Sequence, residues 1–393
     1  MDRRSFMKHS SILGTAAATG FTTHLHAGND ETVRIGYLPI TDATPLLVAH
    51  GMGFFKDEGL KAAQPLLIRS WSALVESFLT GKFNVVHLLL PIPIWMRYRN
   101  GSGVNIVAWD HLNGSALTVG SDLGINSFAD LGGKKIGVPY WYSMHNVILQ
   151  MGLKKMGLKP VIQPRSYQLK KKETNLFLLA PSEMPPALAA GKIDGYIVAE
   201  PFNALAELKI KAKIMRFTGD IWKNHPCCVV VMKEDLIKRN PVFTQKVVNA
   251  VVRAQRWVLQ HEKETATLLS KEGKGYLPMT EETLMRVFTV YDPKIYGKGN
   301  LPEAIKHPQW NVRRIGFQPY PYPSATGYIF DRLQETLVQG ENDFLFKTNR
   351  QSVINELVNV QFVKRAVMAE GGPAKFTDMN IDSPWDREEV IEI

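Results

Sequence analysis

Side chains suited to binding a small molecule are concentrated where predicted strands run into predicted helices. Thr41 and Asp42 follow the first predicted strand, Trp71 follows the second, and His145 lies in the first turn of a helix that Ser143 opens. Backbone N–H groups at a helix start are unpaired and attract negative charge, so these positions suit a small oxyanion. Trp71 adds an indole donor for a cleft wall, and His145 adds an anion contact.

These side chains also have structural interpretations, which stay open at this point. Trp71 could pack in a core, because tryptophan is largely buried in most proteins. His145 could hydrogen-bond to its own loop. Tyr140 is the first of three aromatic residues ahead of that helix, and it could form a cleft wall, a hinge gate or surface packing.

Glu200 and Lys223 are a candidate charged pair. Glu200 follows the predicted strand 193–198, where an isolated carboxylate would repel an anionic ligand. Three interpretations therefore remain: pairing with a cation such as Lys223, a bound Ca²⁺ ion, or a ligand with a positive part. Lys223 could itself face an oxyanion, although lysine is more often solvated.

The two cysteines, Cys227 and Cys228, are adjacent and follow His225 and Pro226. Neighbouring cysteines cannot easily form a mutual disulfide, because that bond requires well-separated α-carbons that point together. A histidine and two thiols could hold a soft metal, yet no second set of ligands follows at zinc spacing. We therefore expect a buried strand start with free thiols and no metal site.

Motifs of catalysis are absent from the sequence. It contains no serine elbow, HExxH, phosphate-binding loop or GxGxxG pattern. The chain is therefore predicted not to be an enzyme.

Strands and helices alternate along the chain, which predicts parallel sheets covered by helices on both faces. The most apolar stretch, 83–96, is predicted as a buried strand leading into a turn. Thr280 is expected to cap a helix, and Asn240-Pro241 to start a long amphipathic one. The predicted strands are 33–38, 66–68, 85–90, 104–109, 117–119, 135–138, 193–198 and 228–232.

Length and composition indicate a globular protein with two lobes. The chain has 393 residues, of which 45% are hydrophobic, enough for two cores. The formal net charge of +10 favours anionic partners, but the lysines are spread along the chain and no nucleic-acid motif occurs.

The N-terminus has the pattern of a twin-arginine export signal. Arg3-Arg4-Ser5-Phe6-Met7-Lys8 precedes an uncharged, weakly hydrophobic run at 11–20, which is too short to span a bilayer. Leu25-His26-Ala27 could be the cleavage site. We expect residues 1–27 to be a signal and the mature protein to act in the periplasm.

Four blocks of sequence, in order, resemble periplasmic substrate-binding proteins of ABC importers for nitrate, sulfonate and bicarbonate. They cover roughly 33–257, and the nitrate and bicarbonate binders are the most similar branch. The blocks are Ile35–Pro45 with Gly53–Leu60, Ser70–Phe83, Leu188–Asn203 and Ile221–Pro226.

The resemblance implies an α/β fold of the type II periplasmic-binding-protein class, in which two lobes close on a ligand. Its crossovers would fall near Gly120 and Val229. Lobe 1 would then comprise 28–120 and 229–340, lobe 2 would comprise 121–228, and 341–393 would be a C-terminal extension. We expect the tail from Ala369 to be an extended or loosely packed arm.

The resemblance also implies a ligand set and partners. Nitrate binders carry a tryptophan and a histidine at the positions of Trp71 and His145. The Cys227-Cys228 pair departs from that branch, where an acidic pair is usual, so a thiamine-pyrimidine precursor is an alternative to a small anion. The implied partner is a membrane permease, and the chain would act as a monomer. A ligand sensor is a further alternative, and an enzyme is the least favoured one.

Overall fold

Apolar strands followed by capped helices fold the chain into two α/β lobes. The structure is a computed structural model and describes residues 32–393. The predicted signal, 1–27, lies outside the described residues. Strands of the described region are β1 Thr32–Val33, β2 Ile35–Tyr37, β3 Lys61–Ala62, β4 Leu66–Leu67, β5 Val85–Leu89, β6 Val104–Trp109, β7 Leu112–Asn113, β8 Ser115–Val119, β9 Lys135–Val138, β10 Lys159–Val161, β11 Glu173–Leu178, β12 Gly195–Ala199, β13 Lys213–Phe217, β14 Cys228–Lys233 and β15 Ile315–Gly316.

The helices pack around these strands. They are α1 Thr44–Gly51, α2 Phe54–Asp57, α3 Trp71–Leu79, α4 Pro91–Tyr98, α5 Met144–Lys155, α6 Met184–Ala189, α7 Phe202–Ile210, α8 Glu234–Arg239, α9 Pro241–Gln260, α10 Glu262–Leu269, α11 Glu281–Thr289, α12 Pro293–Tyr296, α13 Pro323–Gln334, α14 Phe344–Lys347, α15 Arg350–Leu357 and α16 Gln361–Ala369.

The first lobe is built on a sheet with the strand order β4-β2-β5-β14-β6. β2 pairs in parallel with β4 and β5, whereas β14 is antiparallel to both of its neighbours. Strands β5 and β6 are buried along their whole length, as expected for a sheet with helices on both faces. The first sheet is therefore parallel, as predicted, except for β14, which the chain forms when it returns from the second lobe.

The second lobe has the strand order β10-β11-β9-β12-β8-β13, in which β8 is the antiparallel member. Strand β8 was predicted to precede the crossover at Gly120, but it pairs with β12 and β13 and therefore belongs to the second lobe. The chain crosses between the lobes at residues 110–114, and again at 218–227. The predicted boundary at 120 is therefore too late by about one strand.

The segment between α11 and β15 also differs from the predicted assignment to lobe 1. Tyr296, Ala304 and Ile305 form a small apolar cluster with β8 and β13 of the second sheet. Strand β15 pairs with β7 inside the first crossover. This part of 229–340 therefore packs on the second lobe.

Local capping explains where several helices begin. Ser143, Asn240 and Thr280 each accept a backbone N–H three residues later, which confirms these three predicted helix starts. Helix α3 is capped by Ser70, whose Oγ accepts from the Ala73 N–H at 3.3 Å. Trp71 is therefore the first residue of α3.

The apolar stretch 83–96 is a strand followed by a helix and not by a turn. Helix α4 begins at Pro91, and Pro93 also lies in its first turn. Proline is compatible with a first turn, because the backbone N–H groups there have no partner within the helix. The two prolines therefore mark a helix start.

The C-terminal arm is extended, as predicted, but it is tied to the body of the protein. Trp222 forms a β-bridge with Ile391, and the Glu392 N–H donates to the Ile221 carbonyl at 2.8 Å. The Arg387 guanidinium lies over the rings of Trp109 and Tyr322, 5.0 and 4.8 Å from their centroids. The arm therefore covers the second crossover.

Residues 32–393 lie in one compact unit whose apolar core runs continuously from the first sheet to the second. Within the part of the chain that the structure describes, no helix combines the length and hydrophobicity that a bilayer crossing requires.

Glu200 is held in a buried ion pair with Arg314. Arg314 Nη2 lies 2.6 Å from Glu200 Oε1 and 3.0 Å from Glu207 Oε2, with Glu200 and Arg314 almost fully buried. The second Glu200 oxygen, Oε2, accepts the Ala204 N–H at 3.0 Å. Glu200 therefore pairs with a cation, as one interpretation of the sequence proposed, but that cation is Arg314 and not Lys223.

We predict that Arg314→Met lowers the free energy of unfolding by about 3–5 kcal/mol, because it leaves Glu200 buried without its cation. Urea denaturation measures the loss. Arg239→Met removes an exposed pair with Asp235 and should change stability by less than about 1 kcal/mol. Equal effects of the two substitutions would contradict a structural role for the Glu200 pair.

Candidate binding site between the lobes

Polar side chains converge at one edge of the first sheet. Asp42 follows β2, Trp71 follows β4, and His111 follows β6. Because β14 runs antiparallel, its first residue, Cys228, lies opposite Leu89, the last residue of β5. The start of β14 and the carboxyl ends of the other strands therefore share an edge, which faces the second lobe.

Asp42 is the centre of this edge. A short 3₁₀ helix, Thr41–Ala43, turns its side chain inward, where it is fully buried. Asp42 Oδ2 lies 3.0 Å from His111 Nε2, 3.1 Å from Cys228 Sγ and 3.7 Å from Cys227 Sγ. Asp42 Oδ1 has no hydrogen-bond partner within residues 32–393.

Asp42 and His111 form a buried ion pair. Burial alone would raise the pKa of Asp42, but His111 and the Cys228 thiol lower it below its usual value. Burial opposes charge on His111 too, yet Asp42 raises the pKa of His111 well above its usual value. The pair therefore carries one charge of each sign, with His111 Nε2–H donating to Asp42.

Trp71 and His87 present two buried N–H groups to the same region. Their rings meet edge to face at 5.5 Å, and neither Trp71 Nε1 nor His87 Nδ1 has a hydrogen-bond partner in the described chain. His87 Nε2 accepts the Leu38 N–H at 3.0 Å, so in the neutral ring the proton resides on Nδ1. Burial lowers the pKa of His87 to about 4, which keeps the ring neutral.

His145 approaches from the second lobe, at the start of α5. Its Nε2 lies 2.9 Å from Ser115 Oγ, and Nδ1 is unpartnered among the residues described. Burial lowers the pKa of His145 to about 4, an effect that Asp42 partly offsets. Ser115 also lies 3.9 Å from Cys227 Sγ, so it connects His145 to the thiol side of the site.

Two contacts hold the lobes together around these groups. The Thr41 N–H and hydroxyl both donate to the Glu200 carbonyl, at 2.9 and 3.1 Å. On another side, Tyr140 of the second lobe lies against Ser72 of α3; burial raises the pKa of Tyr140 and the Ser72 hydroxyl partly offsets the rise. Trp71 and His145 are consequently 2% and 1% exposed.

Several of the predicted site residues lie at or beside the lobe junction. Asp42, Trp71 and His145 lie at the lobe junction, and their roles as ligand contacts stay predictions. Thr41 lies beside them, but both of its donors are used by Glu200.

Glu200 and Lys223, which were predicted to contact the ligand, have other partners in the structure. Glu200 is occupied by Arg314, as described above. Lys223 lies on the surface under the C-terminal arm, with its Nζ 4.0 Å from Asp378 Oδ2. It is kept there because its backbone N–H pairs with the Val390 carbonyl.

His87 and His111 belong to the site but were not singled out from the sequence. His87 is the one polar residue in the apolar run Val85–Leu90, and burial of a polar group in such a strand signals a specific partner. His111 is preceded by Asp110, directly after the buried strand β6.

His225 does not join the thiols, because its two nitrogens contact Thr218 Oγ1 and the Pro226 carbonyl. The cysteines are free and buried, as expected.

The profile of the NMT1-like family matches residues 26–270, more than half of the chain, and the chain belongs to this family. The nitrate/nitrite binding protein NrtA of Nostoc sp. strain PCC 7120 is 26% identical over 385 residues, covering 91% of this chain and 82% of that protein. The bicarbonate transport ATP-binding protein CmpC of Synechococcus elongatus is 27% identical and covers 91% of this chain, but 55% of its own length. The chain thus spans about half the length of such ATP-binding relatives.

Solved structures confirm the fold. The periplasmic nitrate-binding protein NrtA from Synechocystis PCC 6803 superimposes with a TM-score of 0.73 at 18% identity, covering 92% of this chain and 94% of that one. A ligand-binding component of an ABC-type import system from Staphylococcus aureus, solved with zinc bound, gives a TM-score of 0.62 at 20% identity, covering 85% and 98%. The resemblance to periplasmic binding proteins of this group and the two-lobed α/β fold are therefore confirmed.

We predict that the buried neutral histidines lower the free energy of unfolding as the pH drops from 7 to 5. Burial lowers the pKa of His87 and His145 to about 4 and that of His225 to about 3, whereas the unfolded chain protonates histidine near 6.5. These three histidines thus bind more protons in the unfolded state in this window, which favours unfolding, whereas the raised pKa values of His111 and Asp110 act in the opposite direction.

His145→Gln should reduce this fall by about 2 kcal/mol, as measured by urea denaturation at pH 7, 6 and 5. His261→Gln, at the residue between α9 and α10, serves as the matched substitution of a histidine outside the site. A wild-type slope that His145→Gln does not alter would contradict a neutral, buried His145.

Proposed function

We propose that this chain is the periplasmic solute-binding component of an ABC importer and that it captures a small, singly charged oxyanion of the nitrate type between its lobes. The observation that carries this proposal is the pair of unpartnered, buried N–H donors on Trp71 and His87. An unsatisfied buried donor costs about 1–3 kcal/mol, so a bound acceptor would stabilise the site.

The protonation states favour a ligand with several acceptor oxygens. Trp71 Nε1 is always a donor, and His87 Nδ1 is a donor in the tautomer that the Leu38 contact selects. His145 adds a third nitrogen from the opposite lobe. An oxyanion could accept from all three, and contact with both lobes would favour the closed arrangement.

The names of the relatives agree with this class of ligand. They include nitrate/nitrite binding and bicarbonate transport proteins. We further propose that the partner is a membrane permease with its ATP-binding subunit, by analogy with the transport proteins among those relatives. Fold alone does not decide the ligand, so the proposal rests on the donors of Trp71 and His87.

We also propose that the chain binds its ligand without transforming it. A desulfurization enzyme shares the fold at a TM-score of 0.51 and 14% identity, so the fold is compatible with catalysis elsewhere. In this chain the two thiols are fully buried and point at Asp42. Recovery of the bound anion chemically unchanged after long incubation would support this proposal, and a product would contradict it.

Nitrate should raise the melting temperature of the purified chain, adding about 2.7 kcal/mol of stability at a hundredfold its dissociation constant. Trp71→Phe keeps an aromatic ring but removes the donor. We expect it to weaken nitrate binding by about ten- to hundredfold, as measured by isothermal titration calorimetry.

Trp385→Phe is the matched control, because that tryptophan is 60% exposed, and it should bind nitrate like the wild type. Unchanged binding by Trp71→Phe would remove Trp71 from the site. If nitrate, nitrite, bicarbonate and methanesulfonate all fail to shift the wild-type melting temperature at millimolar concentration, the oxyanion proposal is wrong.

We propose export by the twin-arginine route on the basis of the Arg3-Arg4 signal. Replacing both residues with lysine (R3K/R4K) should leave the full-length chain in the cytoplasm, because the arginine pair is what that export system recognises. Cell fractionation with immunoblotting measures the distribution. Lys8→Arg is a charge-conserving control outside the pair, and periplasmic R3K/R4K protein would contradict this route.

A further inference from the structure

We propose that Asp42, His111, Cys227 and Cys228 form a binding site for one transition-metal ion of the zinc class. One ligand atom of each residue lies within 4.8 Å of those of the other three, and all four side chains are buried. The residues come from three separate parts of the chain, which only the fold brings together. This site is distinct from the oxyanion donors and does not depend on them.

The spacing fits tetrahedral coordination. Zinc bonds of about 2.0–2.3 Å imply separations of roughly 3.3–3.8 Å between ligand atoms. Asp42 Oδ2 lies 3.0 Å from His111 Nε2, 3.1 Å from Cys228 Sγ and 3.7 Å from Cys227 Sγ. All six separations between the ligand atoms are within 4.8 Å, so shifts of at most about 1 Å would bring the four atoms to the spacing of a tetrahedral site.

The donor set selects a borderline or soft cation. Two thiolates, one imidazole and one carboxylate are ligands that Zn²⁺ accepts, whereas Ca²⁺ and Mg²⁺ require oxygen ligands. The Ca²⁺ ion considered from the sequence at Glu200 does not fit there, because both Glu200 oxygens are occupied by Arg314 and the Ala204 N–H. The thiol cluster is thus the stronger candidate for a metal.

A second observation points to a ligand at this cluster. Asp42 Oδ1 is fully buried and finds no hydrogen-bond partner in the region described. Moreover, His111 Nε2 lies within reach of both Asp42 Oδ2 and the Cys228 N–H, at 3.0 and 3.2 Å. One nitrogen cannot donate to the first and accept from the second, so hydrogen bonds alone leave the cluster unsatisfied.

The imidazole of His111 is oriented as in metal sites. Its other nitrogen, Nδ1, lies 3.4 Å from the Leu112 carbonyl, which directs Nε2 toward Asp42 and the thiols. Metal-binding histidines commonly donate their second N–H to such a carbonyl. Because every ligand is buried, we expect an ion to enter when the lobes separate.

The test uses the full-length chain, purified with reductant, stripped with a chelator and reloaded with Zn²⁺ or Co²⁺. Mass spectrometry of the metal content should give one ion per chain. The Co²⁺ form should show thiolate-to-cobalt charge transfer in the near ultraviolet and the intense visible bands of tetrahedral cobalt. These signatures belong to the wild type and do not require a folded variant or any oxyanion.

Cys227→Ser, Cys228→Ser and His111→Gln should each weaken Zn²⁺ binding by more than the roughly 10–100-fold that loss of an outer-shell partner causes. His261→Gln is the control for adventitious histidine binding and should bind like the wild type. Less than a tenth of an ion per wild-type chain, a Co²⁺ spectrum without charge transfer, or full binding by Cys227→Ser/Cys228→Ser would each overturn the proposal. Since nitrate binding is measured separately, its absence would leave the metal result intact.

Discussion

Burial of the Asp42 carboxylate is the constraint on which the lobe junction depends. A charge removed from water is destabilising unless a counter-charge and hydrogen bonds replace the lost hydration. His111 supplies the opposite charge, and the thiols of Cys227 and Cys228 surround the same oxygen. The neighbouring histidines, His87 and His145, are kept neutral by burial, so they add hydrogen-bonding groups without adding an uncompensated charge.

The inserted strand β14 makes this arrangement possible. A parallel strand in that position would place its amino end at the opposite edge of the sheet, away from Asp42. Because β14 is antiparallel to β5 and β6, its first residue, Cys228, lies at their carboxyl ends. The crossover that carries the chain back from the second lobe therefore also places the two thiols at this edge. Ser115, the first residue of the antiparallel strand β8 in the second lobe, contacts Cys227 from the other side.

Local features of the sequence predicted local structure well, because caps and apolar periodicity act over a few residues. Ser143, Asn240 and Thr280 start helices as expected, and the two-lobed fold follows from motifs spread over 33–257.

Contacts between distant residues could not be inferred in this way. Glu200 finds Arg314 more than a hundred positions later, and the cysteines find His111 and Asp42 instead of the adjacent His225. Trp71 and His145 were placed at the junction because strand ends locate clefts in α/β folds, whereas His87, inside a strand, carries no such signal.

Among the described residues, the charges around the two neutral histidines of the junction have a consequence for the kind of ligand. Lys223 is held on the surface by the C-terminal arm, and the charged groups that act on His87 and His145 are Asp42 and His111, which balance each other. Neutral donors can remain buried in the empty protein at less cost than an ammonium group, which would need an anion or a shifted pKa. A divalent oxyanion would bring two uncompensated charges into such a site, whereas a singly charged one spreads its charge over several donors. For the proposed oxyanion, the charge balance around Asp42 therefore favours a low ligand charge, and hydrogen bonds rather than a salt bridge would determine its selection.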